Sequence, residues 1–197
     1  MEKTAGKKKI GLLFGSFNPV HKGHVALAKK ALSENFIDEV WFVVSPQNPQ
    51  KDKKILAPFE DRFEMTKFAI GNNEHISVSD VEKDMDVPSY TFYTLRVLRE
   101  KYPDILFSII AGADILESLM TWKEAGEIIS HHDFIVRHRI DGKDTIHIPP
   151  GVRVTFLDGI LELSSTEVRN GLRGQEEIHN SIDPEVIAYI KEKGLYK

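Results

Sequence analysis

Short apolar runs recur along the chain at 10–14, 40–44, 76–78, 105–111, 134–136 and 152–156, and they are rich in Val, Ile and Phe. The segments between them carry apolar residues at helical spacing, roughly at 24–35, 58–71, 90–101 and 113–130. Two more such segments, about 165–172 and 184–193, close the chain. Continuous β-branched and aromatic runs mark strands buried on both faces, and the intervening helices are the crossovers that parallel strands need. The pattern predicts an α/β fold: a Rossmann-like, doubly wound parallel sheet with C-terminal helices. Ligands of such sheets bind beyond the carboxyl ends of the strands, near the point where strand order reverses. The first, second and fourth runs are followed by Gly15, by Ser45 and Pro46, and by Gly112, so these three loops are expected to share one rim.

Length and composition narrow the picture. The chain has 197 residues, which suits one domain with a substantial core, and residues 1–8 are expected to form a flexible tail. With no cysteine, a disulfide framework and thiolate zinc sites are excluded. A formal net charge of −4 makes nucleic acid an unexpected partner. The start lacks the apolar core of a signal peptide, and no stretch is long and apolar enough to span a bilayer, so a cytoplasmic protein with no membrane partner is expected. Loops 45–57, 80–89 and 138–151 are long for a compact domain, as functional loops often are.

The densest chemistry lies at Gly15-Ser16-Phe17-Asn18-Pro19-Val20-His21-Lys22-Gly23-His24, between a buried strand and an amphipathic helix. Unpaired N–H donors and a partial positive charge make a strand-to-helix turn suitable for phosphate. Gly15 admits a close backbone approach, Pro19 stiffens the turn, and Gly23 relieves crowding at the helix start. His21 and His24, three apart, share a helix face and can donate to phosphate oxygens. A surface turn with two chance histidines is the plain alternative. A zinc site is another, with no evident third ligand. Far along the chain, Leu163-Ser164-Ser165-Thr166-Glu167-Val168-Arg169 gives Ser164 and Glu167 the spacing of a helix capping box. A capped helix start with hydroxyls and an Arg one turn on is also suited to anions.

The first motif resembles the His-x-Gly-His element of the nucleotidyltransferase superfamily, whose members join a phosphate-type nucleophile to a nucleoside triphosphate and release pyrophosphate. The second resembles its Ser/Thr-rich element ending in Arg. Ser89-Tyr90-Thr91, Thr94-Leu95, Gly112-Ala113-Asp114, Thr121-Trp122 and the C-terminal 184–196 region follow in the order seen in bacterial nicotinate-nucleotide adenylyltransferases. That resemblance spans almost the whole chain. It implies adenylyl transfer from ATP to nicotinate mononucleotide, giving deamido-NAD and pyrophosphate. It implies that His21, His24, Arg169 and Lys51 are catalytic, and that Gly15, Ser16, Phe17, Gly23, Gly112, Asp114, Ser165 and Thr166 bind ATP. Tyr90, Thr91 and Trp122 are then the nicotinate mononucleotide side, where an indole can stack on pyridine. Mg²⁺ is expected to arrive on ATP, with no dedicated metal site in the protein.

The chain departs from the family pattern in three places. Asn18 stands where many relatives carry Asp. Asn48-Pro49-Gln50-Lys51 replaces Pro-Pro-His-Lys and keeps the ammonium without the imidazole. Met120 replaces a frequent Pro before Thr121. Arg62 and Met65 match a family helix pattern without an evident chemical role. The nearest rival is pantetheine-phosphate adenylyltransferase or another enzyme with the His-x-Gly-His element. A non-catalytic nucleotide-binding protein is a rival of a different class. A nicotinamide-dependent oxidoreductase is disfavoured because the first turn lacks Gly-x-Gly-x-x-Gly. Preference between nicotinate and nicotinamide mononucleotide is expected to turn on backbone donors near Tyr90 and Trp122. The sequence is compatible with a homo-oligomer.

Overall fold

The structure is a computed structural model that describes residues 6–49, 55–138, 147–159, 163–174, 178 and 180–197. Six strands, β1 (Lys8–Gly15), β2 (Glu39–Val44), β3 (Ile76–Ser79), β4 (Ile105–Gly112), β5 (Asp133–Arg137) and β6 (Val154–Leu157), form one sheet in the order β3-β2-β1-β4-β5-β6. Every pairing is parallel. Strand order reverses between β1 and β4, where Leu13 lies level with Phe42 on one side and Ile110 on the other. The α/β doubly wound architecture is therefore the one the apolar runs predict.

Helices α1 (Lys22–Ser33), α2 (Phe59–Ile70), α6 (Ser165–Gly174) and α7 (Pro184–Lys193) cover one face. Helices α3 (Thr91–Lys101), α4 (Asp114–Ser118) and α5 (Ala125–His131) cover the other. Strand alternation divides the core between them. Leu13, Phe42 and Ile110 pack beneath the first set, while Leu12, Val43 and Ile109, one residue away in each strand, pack beneath the second. Helix α7 packs its apolar side through Val186, Ile187 and Ile190, and it starts at an Asp183 cap whose carboxylate accepts from the Glu185 N–H.

Two expectations need correction. Residue 8 does not belong to the expected tail: β1 begins at Lys8, and the Lys9 N–H donates to Asp38 Oδ2 at 2.7 Å. The helical segment 113–130 is broken: α4 passes into a 3₁₀ turn at Leu119–Thr121, Trp122 is extended, and Glu124 is left-handed at φ 53° before α5 begins. A straight helix turns about 100° per residue, so it would set Ala125 about 180° round from Leu116. The break lets Leu116 and Leu119, and then Ile128 and Ile129, reach the same core, and Ala125 is buried as well.

Candidate active site

A cavity of about 510 Å³ opens at the carboxyl ends of the strands, at the β1/β4 reversal. Its walls bring together eight of the residues singled out above: His21, Gly23, His24, Tyr90, Thr91, Gly112, Asp114 and Trp122. Ser45, Asn48 and Pro49 join them from the loop after β2, so the three loops do share a rim. Gly15, Ser16, Phe17, Ser165, Thr166 and Arg169 are not on that wall. Lys51 lies outside the described residues.

The two imidazoles sit at the start of α1, with ring centroids 3.6 Å apart and planes 21° from parallel. The His21 N–H donates to His24 Nδ1 at 3.2 Å. An accepting Nδ1 places the proton of neutral His24 on Nε2, which becomes the ring's donor. Burial, then the nearby Arg137 guanidinium, pulls His21 down to about 4. Burial, then His21 and Arg137, hold His24 well below the ordinary imidazole range. Without a ligand both rings are therefore neutral at pH 7. Close packing favours Gly23: a Cβ there would stand 3.1 Å from His21 Nδ1 and 3.2 Å from Leu163 Cβ, so those neighbours would have to give by a few tenths of an ångström. Gly112 has a similar reason, since a Cβ would lie 2.5 Å from Asp114 Oδ1.

The rest of the first motif lies beneath the wall. Phe17, left-handed at φ 44° and 2 % exposed, meets His24 edge-to-face at 5.0 Å and packs on Phe42. Its ring explains Gly15, where a Cβ would come within 2.8 Å of it. Ser16 turns its carbonyl to Arg62, and its Oγ is buried without a hydrogen-bond partner.

Asn18 uses both ends of its amide. Nδ2 donates to the Ile55 carbonyl at 2.8 Å, while Oδ1 accepts from the Ala57 N–H at 3.0 Å and the Tyr196 hydroxyl at 2.9 Å. A carboxylate has no proton for Ile55, so the departure from Asp has a local reason. Arg169 donates to the Asn18 carbonyl at 2.7 Å, to the Ser165 carbonyl and to Thr166 Oγ1, and Ser165 Oγ donates to the Pro19 carbonyl at 2.9 Å. The Ser/Thr-Arg element is thus docked on the same turn that carries the imidazoles, but it reaches that turn from outside the cavity wall. Ser164 and Glu167 form the expected capping box, with the Glu167 N–H donating to Ser164 Oγ and the Ser164 N–H to Glu167 Oε2.

Four charged residues were not assigned from sequence. Arg62, 1 % exposed, donates to the carbonyls of Ala57, Ser16, Ser45 and Pro46 at 2.7–2.9 Å, joining the loops after β1 and β2. Glu82, also 1 % exposed, accepts from Thr94 Oγ1 at 2.7 Å, and the hydroxyls of Ser45 and Ser89 face the same carboxyl. Burial raises its affinity for a proton against those hydroxyls. It ties the start of α3, and with it Tyr90 and Thr91, to the end of β2. Arg137 ends β5 on the cavity wall, and Lys123 lines the wall beside Trp122. The rim rule for parallel sheets could have found Arg137, but the other three roles depend on tertiary neighbours.

Among the described residues, no three His, Cys, Asp or Glu side chains group to hold a metal. The site is a concave wall of imidazole, guanidinium and backbone at one end and of aromatic rings at the other. Fold and site together define a doubly wound α/β protein with its cavity at the strand-order reversal, the place where this class binds nucleotides. Residues 12–171 match the cytidylyltransferase-like family. A protein of Flavobacterium johnsoniae named probable nicotinate-nucleotide adenylyltransferase is 37 % identical over 191 residues, covering 96 % of this chain and 99 % of the relative. One of the same name from Cytophaga hutchinsonii is 38 % identical over 189 residues, 95 % of this chain and 98 % of its own. Nicotinic acid mononucleotide adenylyltransferase of Plasmodium falciparum, complexed with NaAD, superposes with a TM-score of 0.81 at 25 % identity, covering 96 % and 97 % of the two chains. The chain belongs to the cytidylyltransferase-like family, and within it to the nicotinate-nucleotide adenylyltransferases.

Proposed function

We propose that this protein transfers the adenylyl group of ATP to nicotinate mononucleotide, giving deamido-NAD and pyrophosphate, a step of NAD biosynthesis. The observation that carries the reading is one cavity at the β1/β4 reversal, with stacked His21 and His24 at one end and Tyr90, Thr91 and Trp122 at the other. A 5′-phosphate oxygen of the mononucleotide attacks the α-phosphorus in line, and the bond to the β-phosphate oxygen breaks. The nucleophile is already ionised, so the protein needs no general base, and catalysis rests on positioning and charge stabilisation.

In this reading His24 donates its Nε2–H to the transferred phosphate, and His21 stands on the leaving side. Arg169, Ser165 and Thr166 hold the β and γ groups, and the motif assigns Lys51 to phosphate as well. Reaching them requires the triphosphate to follow the 18–19 turn out of the cavity, because that turn separates Arg169 from the wall. Gly15, Ser16, Phe17 and Gly23 shape the turn, while Gly112 and Asp114 face the adenosine. Mg²⁺ arriving on ATP would supply charge neutralisation, which suits a cation that keeps its waters. Purified protein with Mg²⁺ and ATP should release pyrophosphate with nicotinate mononucleotide. Release only with phosphopantetheine refutes the substrate, and ATP binding with no release from any acceptor refutes the activity.

A further inference from the structure

Lys123 lies just past Trp122, in the break between α4 and α5, and lines the cavity with Tyr90 and Thr91. Its ammonium stands 5.1 Å from the centre of the Tyr90 ring and 4.7 Å from that of Tyr93. Those rings meet edge-to-face at 6.3 Å, so the cation rests on a ready-made aromatic corner. The neighbouring Tyr93 and, to a smaller extent, Glu124 favour the charged form. Helix α3 starts beside it with no side-chain cap. The other permanent cation on the described wall, Arg137, stands with Gly112 and the imidazoles instead. The aromatic end of the cavity therefore carries its own positive charge, held over the tyrosine that opens the pyridine side.

We infer that the Lys123 side chain determines specificity, drawing the carboxylate of a pyridine-carboxylate nucleotide into the Tyr90–Trp122 end in preference to the neutral carboxamide. The inference rests on the function proposed above and adds a side-chain charge to recognition by backbone donors. The ammonium is exposed, so its share of the preference is that of a solvated ion pair, about fivefold.

Calorimetric titration of nicotinate and nicotinamide mononucleotides into the wild type, Lys123→Met and Lys123→Arg, each at low and high salt, tests it. Lys123→Met should bind nicotinate mononucleotide about fivefold more weakly and nicotinamide mononucleotide unchanged, while Lys123→Arg keeps the preference. Salt should shrink the wild-type preference and leave that of Lys123→Met unmoved. Unchanged ATP affinity reports an intact fold. Equal weakening toward both mononucleotides, or none, overturns the role of Lys123 and leaves the reaction standing. A wild type that binds neither mononucleotide but binds phosphopantetheine overturns both.

Discussion

His24 is held on two sides, by the His21 ring stacked on it and by the edge of Phe17. Its orientation is therefore set before any ligand arrives, which is the condition under which a single donor has a large effect on a transition state. Removing it in His24→Ala should lower the pyrophosphate release rate about a hundredfold or more while calorimetry finds ATP affinity little changed. Near-normal turnover would remove the imidazole from the mechanism. The low affinity of these rings for protons has a second consequence. Between pH 6.5 and about 4 the unfolded chain binds a proton at His21 that the folded chain refuses. Stability is thus fully present above pH 6.5 and falls as pH drops toward 4, and His24 adds to the same trend. Denaturant unfolding followed over that range should show the loss, and His21→Gln should flatten it. Bound triphosphate pushes the other way by favouring imidazolium, so ATP binding near pH 6 should take up protons.

At the scale of elements, the site depends on segments that end at particular places. Helix α6 is fastened to the 18–19 turn by Ser165 and Arg169, and the chain end reaches the same turn through Tyr196. Arg62 and Glu82 do the equivalent for the loops after β1 and β2 and for the start of α3. The break before α5 costs backbone strain, because Glu124 is left-handed without being glycine. Glu124→Gly should therefore stabilise the fold by about 1 kcal/mol in denaturant melts. A loss instead would mean that the side chain of Glu124 contributes more than the strain costs. The capping box at Ser164 and Glu167 could be read from spacing alone, since each group in it is a near neighbour in sequence. The broken helix could not, since residues 113–130 remain periodic and only the shared core forces the turn.

Across the whole molecule, one sheet carries both apolar faces, and neighbouring residues of each strand feed opposite sides of it. Neither face can lose its packing without disturbing the other. Heating should then give one transition, coincident by far-UV circular dichroism and by tryptophan fluorescence, which reports Trp41 in the sheet and Trp122 at the cavity. ATP should raise its midpoint through binding to the folded state alone. Separate transitions would mean that the cavity wall unfolds apart from the sheet. Among the described residues no helix is long and apolar enough to cross a membrane.

By itself the sequence determined the parallel sheet, the rim on which the site lies, and the turn from Gly15 to His24, because each is written in neighbours: a buried run, a Gly/Pro turn, a helix start. It also held the Tyr90-Thr91 and Trp122 elements in order, though not the face each presents. Tertiary structure alone decided that Phe17 supports a ring from below, that Asn18 needs both a donor and an acceptor, and that Arg169 docks outside the wall. The same holds for Arg62, which meets four carbonyls, and for Lys123, which rests over two tyrosines. These roles are set by partners distant along the chain, and a side chain's chemistry in a folded protein is fixed by what it touches.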